Sequence, residues 1–207
     1  MNPMPEAKDG GGKYDDALDL AWGSLSRSDL RDIARASLCG LQEDELDLRH
    51  LSTSFRIRPA DRTMFEDGAQ VQPHLQVLAL HYLLGCDERP LTGRPMSFAQ
   101  APGGPVYLEA FKKRVLDRLA EAFGSDPSKM LRAGEVLHGE RVPLGDAGIR
   151  LLVFPKMPVT AIVWKGDEEI PANASMLFDE LTASILPTED LAVLGSHVLQ
   201  RLQSTSK

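Results

Sequence analysis

The chain has 207 residues and a net charge of −7, with 43% hydrophobic and 26% charged side chains. That length and balance fit one full globular domain. The acidic excess argues against a nucleic-acid backbone as main partner, because such binders present a basic field; Lys112, Lys113, Arg114 and Arg118 form a local exception.

Residues 1–13 read M-N-P-M-P-E-A-K-D-G-G-G-K, without the apolar core of a signal peptide, and are expected to be a flexible leader. Residues 15–25 and 28–39 are expected helices. In the second, Leu30, Ile33, Ala34 and Leu38 share a face, and Gly40 supplies the stop. The period then changes to two. L-D-L-R-H-L at 46–51 and S-F-R-I-R at 54–58 predict a half-buried β-hairpin, and 63–66 a short further strand. Residues 72–84 form a helix that is apolar almost all round and therefore central. The densest apolar run, 77–86, is about half the length that a membrane-spanning helix needs.

A long connection at 86–104 carries P-L-T-G-R-P and A-P-G-G-P. Structureless loops of that length are uncommon in compact domains unless they serve a function. The next helix starts on Pro105, and Val106, Tyr107, Ala110, Phe111, Val115, Leu119 and Phe123 form its apolar stripe. A shorter helix follows from Asp126–Pro127 to Leu137. The Val- and Ile-rich runs at 149–154 and 159–164 read as paired core strands, joined by P-K-M-P. Residues 173–186 and 188–202 read as two closing helices. The fold class expected is α+β: a single domain over 14–203, with an antiparallel sheet of two strand groups packed against several helices, then a tail at 204–207.

Two regions have the composition of a site. In the connection, Thr92, Gly93 and Arg94 lie near Gly103 and Gly104, which place backbone N–H groups at the start of the long helix, a ready anion site. Arg94 suits a bidentate grip on a carboxylate or phosphate. With Tyr107, Trp164 and Asp167 they form the expected ligand-binding set, facing one another and taking a small anionic ligand. The glycines also have a plain reading as turn formers. The second region is acidic: Asp167, Glu168, Asp179 and Glu189 could converge on one metal ion. The opposing reading is that Thr188 caps a helix whose first turn Glu189 and Asp190 favour, while Gly166–Asp167 turns the chain. His81 reads as a hydrogen-bonded core residue, and His50, His74 and His197 have no i,i+4 partner. Cys39 and Cys86 are the only cysteines, too few for a four-thiolate site, so no iron–sulfur cluster is expected and a reduced cytoplasmic chain is.

The ordered motifs Y-L-L-G-C-D-E-R-P-L-T-G-R, S-F-A-Q-A-P-G-G-P-V-Y-L-E-A-F, F-P-K-M-P, W-K-G-D-E-E-I, L-F-D and L-P-T-E-D-L-A-V-L-G resemble an uncharacterised family over residues 14–203. This is domain of unknown function three-seven-eight-six, of anaerobic bacteria and archaea. The resemblance implies a context of anaerobic metabolism, with corrinoid or redox-cofactor handling and a redox or corrinoid protein as partner. Relatives that carry a four-cysteine iron–sulfur segment differ from this chain, which lacks it. The residues and the resemblance together leave three functions open: a ligand-binding or accessory domain, a metal-assisted enzyme, and a protein–protein interaction module. No membrane or nucleic-acid partner is expected.

Overall fold

The computed structural model describes Gly12 and residues 14–206, so the leader expected at 1–13 lies, except for Gly12, outside the described residues. Helices α1 (Asp15–Leu25) and α2 (Leu30–Ser37) come first. The Asp29 side chain caps α2 by accepting from Arg31 N at 2.8 Å, and Leu38 ends it at φ 59°. The period-two stretch then folds as expected. Strand β1 (Gly40–Gln42) leads into β2 (Glu45–His50), β3 (Thr53–Arg58), β4 (Thr63–Glu66) and β5 (Ala69–Gln70). Each pairs antiparallel with the one before it in a five-stranded meander. Leu46, Leu48 and His50 point inward from β2, and Phe55 and Ile57 from β3, while Asp47, Arg49, Arg56 and Arg58 stay in solvent. Alternation therefore fixes which face is core, and it puts a histidine on that face.

Helix α3 (Pro73–Gly85) is apolar on nearly every side and packs against α1 and α2. Strand β6 (Pro95–Ser97) follows, then a single 3-10 turn and α4 (Gly104–Phe111). At Gly104 a Cβ would lie 2.0 Å from the Phe98 carbonyl oxygen, so only glycine fits there. Gly103 beside it takes φ 75°, the left-handed region. The long helix expected from Pro105 is not regular: a π-helical turn at Lys112–Leu116 separates α4 from α5 (Asp117–Phe123). Helix α6 (Pro127–Val136) completes this group.

The second sheet joins β6 to β7 (Glu140–Val142), β8 (Ala147–Leu152), β9 (Pro158–Trp164) and β10 (Asn173–Asp179), in the order β6-β10-β9-β8-β7 and all antiparallel. The two strand groups thus make two sheets. The fold is α+β, with one contiguous core running between the sheets and the helices. One element differs in kind from its expectation. Residues 173–186 form β10 and a short α7 (Thr182–Ile185), not a helix. Ala, Met and Leu favour helix in isolation, but here β9 offers an unpaired edge, and Ala174, Met176 and Phe178 bury one face of a strand bonded on both sides.

The F-P-K-M-P motif turns β8 into β9 and holds the connection in place. Lys156, 5% exposed, donates from Nζ to the carbonyls of Asp87 (2.5 Å) and Arg89 (3.0 Å). The Tyr82 hydroxyl accepts from Lys156 N at 3.2 Å and donates to Ser37 O at 2.6 Å. Cys39 and Cys86 are free thiols, and burial raises the pKa of both. The final helix, α8 (Thr188–Thr205), runs three residues past its expected end and packs on α3, α5, α6 and the π turn. Its N-cap is Pro187, not Thr188 as expected; the Thr188 hydroxyl instead donates to the Pro102 carbonyl and ties down the glycine turn.

Candidate functional site

The Thr92–Arg94 loop is held by Asp179, at the end of β10. Asp179 Oδ1 accepts from Thr92 N (3.0 Å), Thr92 Oγ1 (2.9 Å) and Leu181 N (2.9 Å), and Oδ2 accepts from Gly93 N (2.7 Å). Burial opposes ionisation, yet these donors hold the carboxyl below the usual aspartate range. Arg94 pairs with Glu180 at 2.8 Å on the surface. L-T-G-R and L-F-D are therefore two halves of one structural clasp. Asp179→Ala is expected to lower stability by about 2–4 kcal/mol in urea unfolding, since it orphans three backbone N–H groups and a hydroxyl.

Trp164 and Asp167 lie elsewhere. Trp164 pairs with Asn173, at the opposite end of β10 from Asp179, roughly 20 Å away along the strand. Asp167 closes its own turn, accepting from Glu169 N (2.9 Å) and Ile170 N (2.7 Å). The expected ligand set, with the Thr92–Arg94 and Gly103–Tyr107 loops facing Trp164–Asp167, is thus not brought together. Gly103 and Gly104 form the turn before α4, and the Gly104 N–H is taken by Ala101 O at 2.8 Å. The shared metal is corrected by the same geometry. Asp167 lies in the turn between β9 and β10, at the far end of β10 from Asp179, whose oxygens are filled by four donors, and Glu189 sits on α8. Among the described residues no group of three or more His, Cys, Asp and Glu is placed to hold a metal ion.

What the structure assembles instead is a chain of titratable groups between the first sheet and α8, running from the partly exposed Glu66 to the buried His50 and His197. Glu66, ending β4, lies 2.7 Å from His50 Nδ1 and also accepts from the Thr53 hydroxyl. His50 Nε2 lies 2.8 Å from His197 Nε2 on α8, and the two rings stack at 4.9 Å. Arg201, one turn further along α8, approaches Glu66 at 3.6 Å. Burial works against the Glu66 charge, but the His50 and Thr53 hydrogen bonds and the nearby cation hold its pKa down at about 2. Burial lowers His50, with Glu66 partly opposing. Burial also brings His197 down to about 3, assisted by His50 and Arg201. Near neutral pH both imidazoles are neutral and Glu66 is ionised. His197 is 4% exposed, and its Nδ1 is buried without a hydrogen-bond partner.

His197 also lines a cavity of about 510 Å³ that runs along α8 to the π turn and reaches His74, Tyr107, Arg114, Glu189 and Asp190. That volume is in the range of small-molecule sites. Glu189 beside the Tyr107 hydroxyl raises the phenol's pKa. His81 Nδ1 meets Asp190 Oδ2 at 2.5 Å, and that bond raises the His81 pKa against the opposing effect of burial. Of the expected ligand residues only Tyr107 lines this cavity. The concave outer face of the first sheet, around Glu45, Arg56, Arg58 and Phe65, contains no comparable buried polar group.

In the sequence His50 and His197 stand 147 residues apart, and neither has a local partner. A signal did exist. His50 continues the inward register of Leu46 and Leu48, and His197 lies on the buried stripe of α8 with Leu194 and Val198. Two histidines on core-facing positions each need a partner.

The molecule is thus a single α+β fold in which a carboxylate–imidazole–imidazole chain meets a cavity beside its last helix. Its sequence matches the profile of a domain of unknown function, DUF3786, over residues 29–201, more than four-fifths of the chain. The chain belongs to that family. No curated protein and no solved structure is significantly similar to it. Among the described residues no helix is long and apolar enough to cross a membrane.

Proposed function

We propose that the protein is a small-molecule-binding domain whose site is the cavity beside α8. The observation that carries this reading is His197 Nδ1, a buried polar atom with no protein partner on a residue that lines the cavity. Unsatisfied buried polar atoms cost about 1–3 kcal/mol, and a bound ligand that supplies the missing bond recovers it. Binding is favoured over acid–base catalysis by the basicity of the same group. With its pKa near 3, protonating His197 at pH 7 costs about 5 kcal/mol, which makes it a poor general base and a dependable acceptor. The interaction-module reading draws less support. The exposed apolar side chains Leu20, Leu38, Val106, Val136 and Ile170 are distributed over different elements.

The test is a thermal-shift screen of the purified protein against amines, carboxylates, amino acids, polyols and nucleosides. It is run beside Val193→Phe, which fills the cavity from α8. At least one class is expected to raise the melting temperature of the parent protein and not of the filled variant. Equal shifts in both proteins, or none in either, would sink the reading.

A further inference from the structure

The distribution of protons on the cavity wall specifies what an occupant must bring. Glu66 is an acceptor, so at 2.7 Å from it His50 Nδ1 carries the proton. Neutral His50 then has a bare Nε2. The 2.8 Å contact between the two Nε2 atoms holds one proton, and it belongs to His197. His197 Nδ1 is left as a lone pair. The Glu66 carboxylate, two residues removed from the cavity, thereby sets the polarity of an atom it does not touch.

The hydroxyls nearby are committed in the same direction. Thr188 donates to Pro102 O and Ser196 to Ala192 O at 2.8 Å. Together with Glu189 and His197 these groups make the α8 side of the cavity a wall of acceptors. Its charge is simple. Asp190 is compensated by His81 beneath it, leaving Glu189 as the anion of that wall. The cation is Arg114, carried by the π turn. Its Nε donates to Ala110 O at 3.3 Å, and its terminal nitrogens have no partner among the described residues. Single π turns are rare and are frequently found at functional sites.

We propose that the cavity takes a small zwitterion, with its ammonium group on His197 Nδ1 and its carboxylate on Arg114. The inference rests on the reading of the cavity as a ligand site and narrows it to one chemical class. A polyol would satisfy the acceptors but leave both charges without a counter-charge. A simple amine would meet Arg114 as a like charge.

The experiment is isothermal titration with four matched probes: α-aminobutyrate, γ-aminobutyrate, butyrate and butylamine. At least one aminobutyrate is expected to bind, and the acid and the amine alone are not. Arg114→Gln and His197→Gln should each weaken that binding by about tenfold or more, the loss expected for one charge-assisted hydrogen bond. Arg114 is exposed, so its variant keeps the fold, and a melting curve on each protein separates lost binding from lost structure. Binding of butylamine at equal strength, indifferent to Arg114→Gln, would overturn the zwitterion and leave the cavity as a cation site. Silence from all four probes would also overturn it, and the wider screen then decides separately whether the cavity binds anything.

Discussion

Between pH 7 and pH 4 the protein should lose about 3 kcal/mol of folding stability, most of it through His197. The unfolded chain binds a proton at this imidazole near pH 6.5, whereas the folded protein holds it neutral down to about pH 3. Within that window the unfolded state carries more protons, so stability falls as pH falls, by up to about 1.4 kcal/mol per unit for one such group. His50 and His74, also lowered by burial, act in the same direction. His81 acts in the opposite direction. Raised by Asp190, it contributes stability that is fully present below its unfolded pKa and is lost as pH rises through the folded value. Glu66 enters late, because a carboxyl held near 2 loses its contribution only as pH drops below the ordinary glutamate value of 4.5.

Urea unfolding at half-unit steps of pH measures the slope. His197→Gln removes the titration and keeps a side-chain N–H for His50 Nε2, so its stability curve should be markedly flatter between pH 6.5 and 4. A variant curve parallel to the parent would show that His197 is already charged in the folded protein. The proton order assigned to the Glu66–His50–His197 chain would then be wrong.

How much of this was legible in the sequence differs between elements for physical reasons. The hairpin at 45–58 and the helices α1, α3 and α6 were legible because their apolar period is local. Strand β10 was not, since its identity depends on pairing with β6 and β9, which lie far away in sequence. The π turn was hidden inside a good helical stripe: Phe111, Val115, Leu119 and Phe123 keep i,i+4 spacing through it, and all four are buried. Among the motifs, glycine, proline and acid marked the clasps of the fold, as Asp179 on Thr92 and Gly93 and Lys156 on the 87–89 backbone show. The candidate site has the reverse character. Its central atoms come from ordinary positions, an inward residue of β2 and a buried residue of α8, and only the three-dimensional fold makes them neighbours.

Replacing His50 with alanine should cost about 4 kcal/mol, the sum of a core cavity and two orphaned hydrogen-bonding groups. The ring is fully buried, packs tilted against Phe55 and Phe154 with centroids 4.2 Å and 5.8 Å away, and uses both nitrogens. Its removal leaves Glu66 without its principal donor and His197 without the acceptor that orients it. A double-mutant cycle with His197→Ala isolates the contact between the rings, with an expected coupling of about 1–2 kcal/mol. Additivity of the two substitutions would mean that the 2.8 Å contact contributes nothing. His50→Phe separates the two roles of the residue. Phenylalanine restores most of the packing, so this variant should be more stable than the alanine one. It offers His197 no acceptor, however, so nothing keeps the proton on Nε2 and the lone pair on Nδ1. A protein that is largely restored in stability yet impaired in ligand binding would place the importance of His50 in the order of protons along the chain. Recovery of both together would reduce it to a space-filling ring.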